Sequence, residues 1–376
     1  MIAVALLFWI CAAAIVYTHL GYPLLLRVLV ALRRRPTLSP RTWEEPPRVS
    51  LIVAAFDEED VIAAKVADAL ALEWPRERLE LIVASDGSTD ATAERAREAG
   101  ADLVLELPRG GKLAAQNAAA ERASGEILAF SDANSAWAPD ALRHLVEPFA
   151  DPAVGYACGQ VRFLDPGGDN VEGAYWRFEM RVRELESGLA GVTAGNGAIY
   201  AVRRDAYLPL GPAGSHDLSL PFQLAKRGRR SLYVPWAAAE EKMVPTLGGE
   251  LARKRRMMVG LWDIVAGEGM LRPRGYPSLY ALELFSHRLL RYATPLLHLL
   301  VLAANVALLG HGWVYTVTLA AQLLLLLAAL LGLALPALPF RLARYYVSTT
   351  ASIALGLWDR LRHGAPGTWD KAEGTR

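Results

Sequence analysis

Cysteine is nearly missing from this chain: two residues among 376, Cys11 inside an apolar run and Cys158 far beyond it. So few and so widely spaced, they exclude a disulfide framework and offer no metal-binding spacing. A polar domain in a reducing compartment agrees with that scarcity. Net charge is also small, with 40 Lys and Arg against 39 Asp and Glu. Bulk electrostatics therefore gives no reason to expect a nucleic-acid or acidic partner. No basic segment precedes the first apolar run, which argues against a secretory signal peptide. A complete P-loop is absent as well, because Pro108-Arg109-Gly110-Gly111-Lys112 lacks the spacing and the Ser/Thr.

Long hydrophobic runs are what the chain has in quantity, and they collect at its two ends. Ile2–Leu32 is interrupted by Thr18, His19 and Arg27, and it exceeds the ~20 residues that cross a bilayer. Arg33-Arg34-Arg35 follows, so the positive-inside rule places the next segment in the cytoplasm. At the other end, Leu279–Arg291 reads as an amphipathic interfacial helix carrying His287, Arg288 and Arg291. Ala293–Leu309 and Trp313–Leu335 read as spans joined by the turn Gly310-His311-Gly312. Tyr345–Trp358, with Ser348, Thr349, Thr350 and Ser352, fits either a third span or a surface helix. The organisation expected is an anchor over 1–35, a cytosolic domain over 48–260, interfacial helices over 261–292, a membrane region over 293–360 and a tail over 361–376. The protein is expected to be integral to the cell (inner) membrane.

Between these ends, strands and helices alternate. Arg48–Ala55, Glu80–Ala84, Asp102–Leu107 and the run from Ile127 are short and rich in apolar residues, as buried parallel strands are. Helical spacing follows in Val61–Leu72, Ala91–Ala99 and Leu113–Ala123. Four such units specify a doubly wound α/β domain with right-handed crossovers. Ligands of such sheets bind beyond the carboxyl ends of the strands. The strand Ile127-Leu128-Ala129-Phe130-Ser131 stops there at Asp132-Ala133-Asn134. Two oxygen side chains at that spacing suit Mg²⁺ or Mn²⁺ holding a diphosphate, and an ordinary Asx turn is the alternative. Asp57–Asp60 likewise admits a helix-capping reading.

Four segments together resemble the family 2 glycosyltransferases. Val49–Glu59 is similar to their first strand and Ala-Tyr-Asn-Glu turn, and Ser85–Asp90 to their Asp-Asp-Gly-Ser-Thr-Asp loop. Gly111–Asn117 resembles their Gly-Lys-x-x-x-x-Asn segment, and Asp132-Ala133-Asn134 stands where they carry Asp-x-Asp. The resemblance implies a GT-A nucleotide-sugar-binding domain built on a doubly wound mixed sheet. By that likeness Ala55, Phe56, Asp57, Glu58 and Asp86 bind the donor's nucleoside side. Lys112 and Asn117 belong to the substrate-binding set, with Lys112 near the base or diphosphate, and Asp132 and Asn134 hold Mg²⁺ or Mn²⁺. The chain departs from the pattern at Phe56, Asp57, Ser85 and Asn134. A neutral amide oxygen binds a divalent ion less tightly than a carboxylate.

The likeness continues through Gly195-Asn196-Gly197, a turn expected near the transferred sugar. Ser215-His216-Asp217 opens a helix, and the resemblance makes Asp217 the general base and puts His216 beside the substrate. Read from the residues alone, the same stretch is a helix N-cap. The aromatic helix Tyr175–Leu189 is open to core packing or to sugar stacking. Arg229–Pro235 resembles the family's following edge strand, and Glu240-Glu241 its acidic pair. Glu250–Met257 lies at the place of Gln-x-x-Arg-Trp in polysaccharide synthases, where Arg256 is retained while Arg253 and Met257 replace Gln and Trp. Arg253 and Arg256 are candidates for the diphosphate, and a basic helix against anionic headgroups is the other reading of this stretch.

The function implied is inverting transfer of a sugar from a nucleotide-diphosphate sugar, a uridine-diphosphate sugar first, to a membrane-associated acceptor. A growing cell-surface polysaccharide is the leading acceptor. A lipid such as a polyprenyl phosphate or diacylglycerol is the alternative. A non-catalytic nucleotide-sugar-binding scaffold is the rival of another class, and intact Asp217 argues against it.

Overall fold

The structure is a computed structural model, and it describes residues 1–33, 43–164, 171–242, 247–335 and 337–364. Arg34 and Arg35, most of the linker Pro36–Pro47, the loop Asp165–Asp169 and the tail with Trp369-Asp370-Lys371 lie outside the described residues.

The amino-terminal run forms α1 (Ile2–Val16) and α2 (Tyr22–Arg33), joined through one wide turn at Tyr17–Gly21. Together they make a 32-residue helix apolar enough to cross a membrane. The polar domain then alternates as its spacing predicts: β1 (Val49–Ala55), α3 (Ile62–Leu70), β2 (Leu79–Asp86), α4 (Thr92–Glu98), β3 (Leu103–Leu107), α5 (Lys112–Arg122) and β4 (Ile127–Asp132). A two-residue β5 (Ala136–Trp137) and α6 (Ala141–Val146) follow. They lead to β6 (Val154–Leu164), α7 (Val171–Leu189), β7 (Ile199–Arg203), α8 (Ser219–Lys226) and β8 (Arg230–Lys242).

The eight strands form one sheet in the order β3-β2-β1-β4-β7-β6-β8-β5. The half from β3 to β4 is parallel, whereas β7 runs antiparallel to both β4 and β6. All seven residues of β1 are buried, and each fully buried Val, Leu or Ile there contributes about 1.5–3 kcal/mol. Helices cover both faces. One apolar cluster joins Val53, Ile62, Val66 and Leu142, and the other joins Ile52, Ala115, Ala119 and Phe130. The strand expected at the edge, β8, is long and lies one strand inside it, with β5 pairing to its outer side.

Beyond the sheet come α9 (Leu247–Gly267), α10 (Ser278–Glu283), α11 (Leu290–Ala307), α12 (Trp313–Leu331) and α13 (Leu338–His363). Two expectations are corrected here. A wide turn at Leu284–Leu289 joins α10 to α11, so Ser278–Ala307 is one continuous helix long enough to span, and no break separates an interfacial helix from a span. Its charged residues do not face headgroups either. His287 and Arg288 are buried, with His287 between Glu179 and Glu186 of α7 at 3.2 and 2.6 Å. The acids of α7 thus give His287 its partners, and Arg288 donates to Thr193 at 2.9 Å.

The segment Tyr345–Trp358 falls within α13, which is not among the helices long and apolar enough to span. Instead α13 is clipped to α9. Arg255 makes a two-pronged pair with Asp359 at 2.5 and 2.7 Å, Arg360 reaches Asp263 at 2.6 Å, and Lys254 donates to Tyr345 at 3.0 Å. Lys254 and Arg255 thus have protein partners where a lipid-facing basic stripe was the alternative.

Candidate active site

β1, β2 and β4 end at one level, because Ala54 is level with Asp132 and Ala55 with Ser85. Their last residues and following turns form the floor of the site. Asp57 adopts a left-handed backbone, φ 49°, which its short polar side chain tolerates. The turn is held because its amide donates to Ser88 Oγ (3.0 Å) and its carboxylate accepts from Thr89 N (2.7 Å). Glu58 is buried, and its amide donates to Thr92 Oγ1.

Asp86 closes β2 with its side chain 2% exposed. Its carboxylate accepts from the amides of Gly110 and Gly111 and pairs with Arg109 at 2.5 Å. The approach depends on Gly87, at φ +69°, where a Cβ would stand 2.8 Å from the Arg109 nitrogen. Arg109 also lies over the Phe56 ring, 3.4 Å from its centroid. The Asp86 that the resemblance offers to the nucleoside is therefore already engaged, and Arg109 joins Asp86 to Phe56. Sequence reasoning passed over Arg109 for want of a complete P-loop.

Lys112 opens α5 and contacts the Asp132 carboxylate. Asp132 and Asn134 occupy the turn after β4, which closes through Ser135 N to Asp132 O at 3.2 Å. Asp132, Asp217 and Glu241 all raise the charge preference of Lys112, overcoming its burial. Asp132 touches that ammonium, while Asp217 and Glu241 act on it through space. From behind, α3 sends in Lys65, buried, with Nζ 2.6 Å from Ser135 O. Burial pushes its ammonium down to about 8, against the pull of Asp68 and Asp132. Lys65 was also missed; its signal is a cation on the buried face of an apolar helix, four residues before Ala69.

Asp217 lies in the turn before α8. Burial raises its carboxyl above the usual range, and Lys112 partly offsets that rise. Ser215 donates to its carboxylate, and its main-chain oxygen accepts from Gly195 N at 2.6 Å. A Cβ at Gly195 would overlap the Tyr156 hydroxyl, so glycine is what permits this close approach. Asn196 is buried between Arg183 and the Gly159 carbonyl. Gly197 has open space around it.

His216 turns inward, toward the protein. Nδ1 meets Tyr200 Oη at 2.6 Å and Nε2 meets Tyr207 Oη at 3.2 Å, and the ring stands edge-on to Phe130. Burial first, and Lys112 second, push it down to about 3, so it is neutral. Asn117 also braces this region, donating to the Leu210 carbonyl at 2.9 Å and accepting from Tyr207 at 2.7 Å. Arg253 and Arg256 ride on α9, and their side chains lie outside the described residues.

A parallel nucleotide-type half-sheet, an antiparallel continuation and an acidic turn at their junction define an α/β domain of the GT-A type. Residues 50–208 match the model of Glycosyl transferase family 2, and the domain they form belongs to that family. Among curated proteins, the chain is 28% identical over 179 residues to glycosyltransferase AglE of Haloferax volcanii, covering 46% of this chain and 58% of that one. It is 24% identical to a poly-beta-1,6-N-acetyl-D-glucosamine synthase of Staphylococcus aureus, over 62% and 59% of the two chains. A beta-monoglucosyldiacylglycerol synthase of Nostoc sp. is 39% identical over 116 residues, 29% of this chain and 25% of that one. The chain spans 58–59% of the first two relatives' length. A solved structure, the mannosyltransferase PcManGT of Pyrobaculum calidifontis with GDP-Man and Mn²⁺, superposes with a TM-score of 0.73 at 25% identity. It covers 95% of this chain and 99% of its own.

Proposed function

We propose that this protein is a membrane-anchored inverting glycosyltransferase that moves a hexose from a nucleotide-diphosphate sugar to a membrane-associated acceptor. The observation that supports this best is the contact of Lys112 with Asp132 where the sheet changes from parallel to antiparallel, with Asp217 acting on the same ammonium through space. Asp217 serves as general base, taking the acceptor hydroxyl proton as that oxygen attacks the anomeric carbon from the face opposite the diphosphate. The new glycosidic bond forms as the bond to the diphosphate breaks, and configuration inverts. Burial favours this role, because a raised carboxyl is a stronger base when ionised. Lys112 faces the departing diphosphate charge.

The donor set also fits a divalent ion. Asp132 is 27% exposed at its side chain and Asn134 is half-buried beside it, hard oxygens of the kind Mg²⁺ and Mn²⁺ take. When bound, the ion supplies positive charge to the leaving diphosphate. Ala55, Phe56, Asp57 and Glu58 form the nucleoside side, with Asp86 acting through Arg109. Gly195 and Gly197 flank the sugar, His216, Asn117 and Asn196 brace the surrounding backbone from inside the fold, and Arg253 and Arg256 of α9 are the candidates for the diphosphate.

A uridine-diphosphate sugar is the first donor to test, and a growing polysaccharide the first acceptor, with the domain facing the cytoplasm. The single-transfer reading, onto a lipid, is favoured by Met257, which is 52% exposed where polysaccharide synthases have a stacking Trp. Purified protein in lipid is given a panel of uridine- and guanosine-diphosphate sugars with Mg²⁺ or Mn²⁺, and products are sized. One donor consumed with a product ladder supports polymer extension, and one discrete glycolipid supports single transfer. No donor consumed or bound in the presence of metal sinks the reading.

A further inference from the structure

The turn that carries Asp132 and Asn134 is held at both ends. β4 fixes the first end, with Asp132 in register with Ala54 of β1. At the other end, Lys65 Nζ donates to the Ser135 carbonyl at 2.6 Å. Its neighbour one helical turn on, Asp68, accepts from Trp137 N at 3.0 Å and stands 3.6 Å from Lys65. Trp137 in turn donates through Nε1 to the Ala198 carbonyl at 3.1 Å, beside Gly197. Lys65 is 4% exposed and Trp137 is 3% exposed, so water cannot replace either bond.

We infer that Lys65, paired with Asp68, is a positioning residue that presets the Asp132–Asn134 turn for its divalent ion. The inference rests on the metal-dependent reading above. A four-residue bridge with an unfixed far end would sample many geometries, and an amide such as Asn134 binds too weakly to select among them. Fixing Ser135 and Trp137 removes that freedom before the ion arrives. Partners behind metal ligands commonly set affinity by about 10–100-fold. In the core, an ammonium costs more than an apolar residue of equal size; its use here follows from the donor that the Ser135 carbonyl requires.

The test uses the full chain in lipid and measures Mn²⁺ binding by electron paramagnetic resonance at saturating nucleotide. Lys65→Met is compared with Val66→Ala, a destabilising change on the same helix that leaves the turn untouched. Lys65→Met is expected to weaken Mn²⁺ binding by about tenfold or more, and Val66→Ala to leave it within about twofold. Should Lys65→Met fail to fold, Lys65→Leu, which also removes the donor, is judged by the same comparison. Wild-type affinity in the folded Lys65 variant overturns the inference, and so does equal weakening in Val66→Ala. Absence of Mn²⁺ binding in the wild type removes the metal-dependent reading itself, and the inference with it.

Discussion

Lys112 contacts Asp132 and also acts through space on Asp217, so its removal separates two effects. Asp217 is raised by burial and lowered by Lys112. A general base works ionised, so kcat/KM falls as pH drops through that raised value. Lys112→Met removes the lowering influence, and the acid limb of the kcat/KM profile should move to higher pH. A limb that stays in place or moves down would contradict the assignment. His216 gives a second pH prediction, this one in stability. Its folded imidazole is depressed to about 3, whereas an unfolded one titrates near ~6.5. The unfolded chain takes the proton first. Stability is therefore complete above ~6.5 and is lost as pH falls toward the folded value. Replacement by Gln should flatten that slope in a series of thermal melts across the window, and an unchanged slope would show the ring is not held neutral.

Among the elements, the loop from Gly191 to Ala198 carries most of the site's precision. Gly195→Ala forces a methyl onto the Tyr156 hydroxyl, an overpacking change that costs about 1–3 kcal/mol. A lower thermal midpoint is expected, with part of the loss recovered when Tyr156→Phe is added. The strands and helices of the first half were legible because period and composition agree: β1, β2 and β4 are fully or nearly fully buried runs, and apolar spacing marks α3. Three features were not. β5 is two residues long and exists through its pairing with Ala239 and Glu240, a long-range fact. The left-handed Asp57 depends on Ser88 and Thr89, 31 and 32 residues away in the chain. The charges of Ser278–Ala307 looked amphipathic because a sequence window cannot show Glu179 and Glu186 coming from α7. Of the site, the acids at strand ends could be read directly. The inward turn of His216 could not, because Tyr200 and Tyr207 reach it from separate elements.

At the scale of the molecule, α7 connects the polar domain to the helices that are apolar enough to span. Tyr22 of α2 donates to Glu186 at 2.8 Å, Tyr17 meets Ser286 at 2.9 Å, and Arg291 pairs with Glu179. Burial raises Glu179, yet Arg291 and His287 outweigh it and hold that carboxyl well below the usual range. Removing one member of a buried charge cluster leaves the others unpaired and costs about 3–5 kcal/mol. Glu186→Leu should therefore expose the amides of α7 and α10 to hydrogen exchange while those of β1 and β2 stay protected. Equal loss of protection throughout would show that the domain and the helices do not separate there. The helix Ser278–Ala307 thus shares a buried polar seam with the loop beside Asp217, through Arg288 and Thr193 at 2.9 Å.

The most direct measurement sets Asp217→Asn beside the wild type, in lipid with Mn²⁺, and reads donor binding and nucleotide release on the same samples. Asn, nearly the same shape without the base, should keep donor and Mn²⁺ affinity within about threefold. Release should fall by about 10²–10⁴-fold. Release at the wild-type rate would contradict it, because another group would then have to take the acceptor's proton.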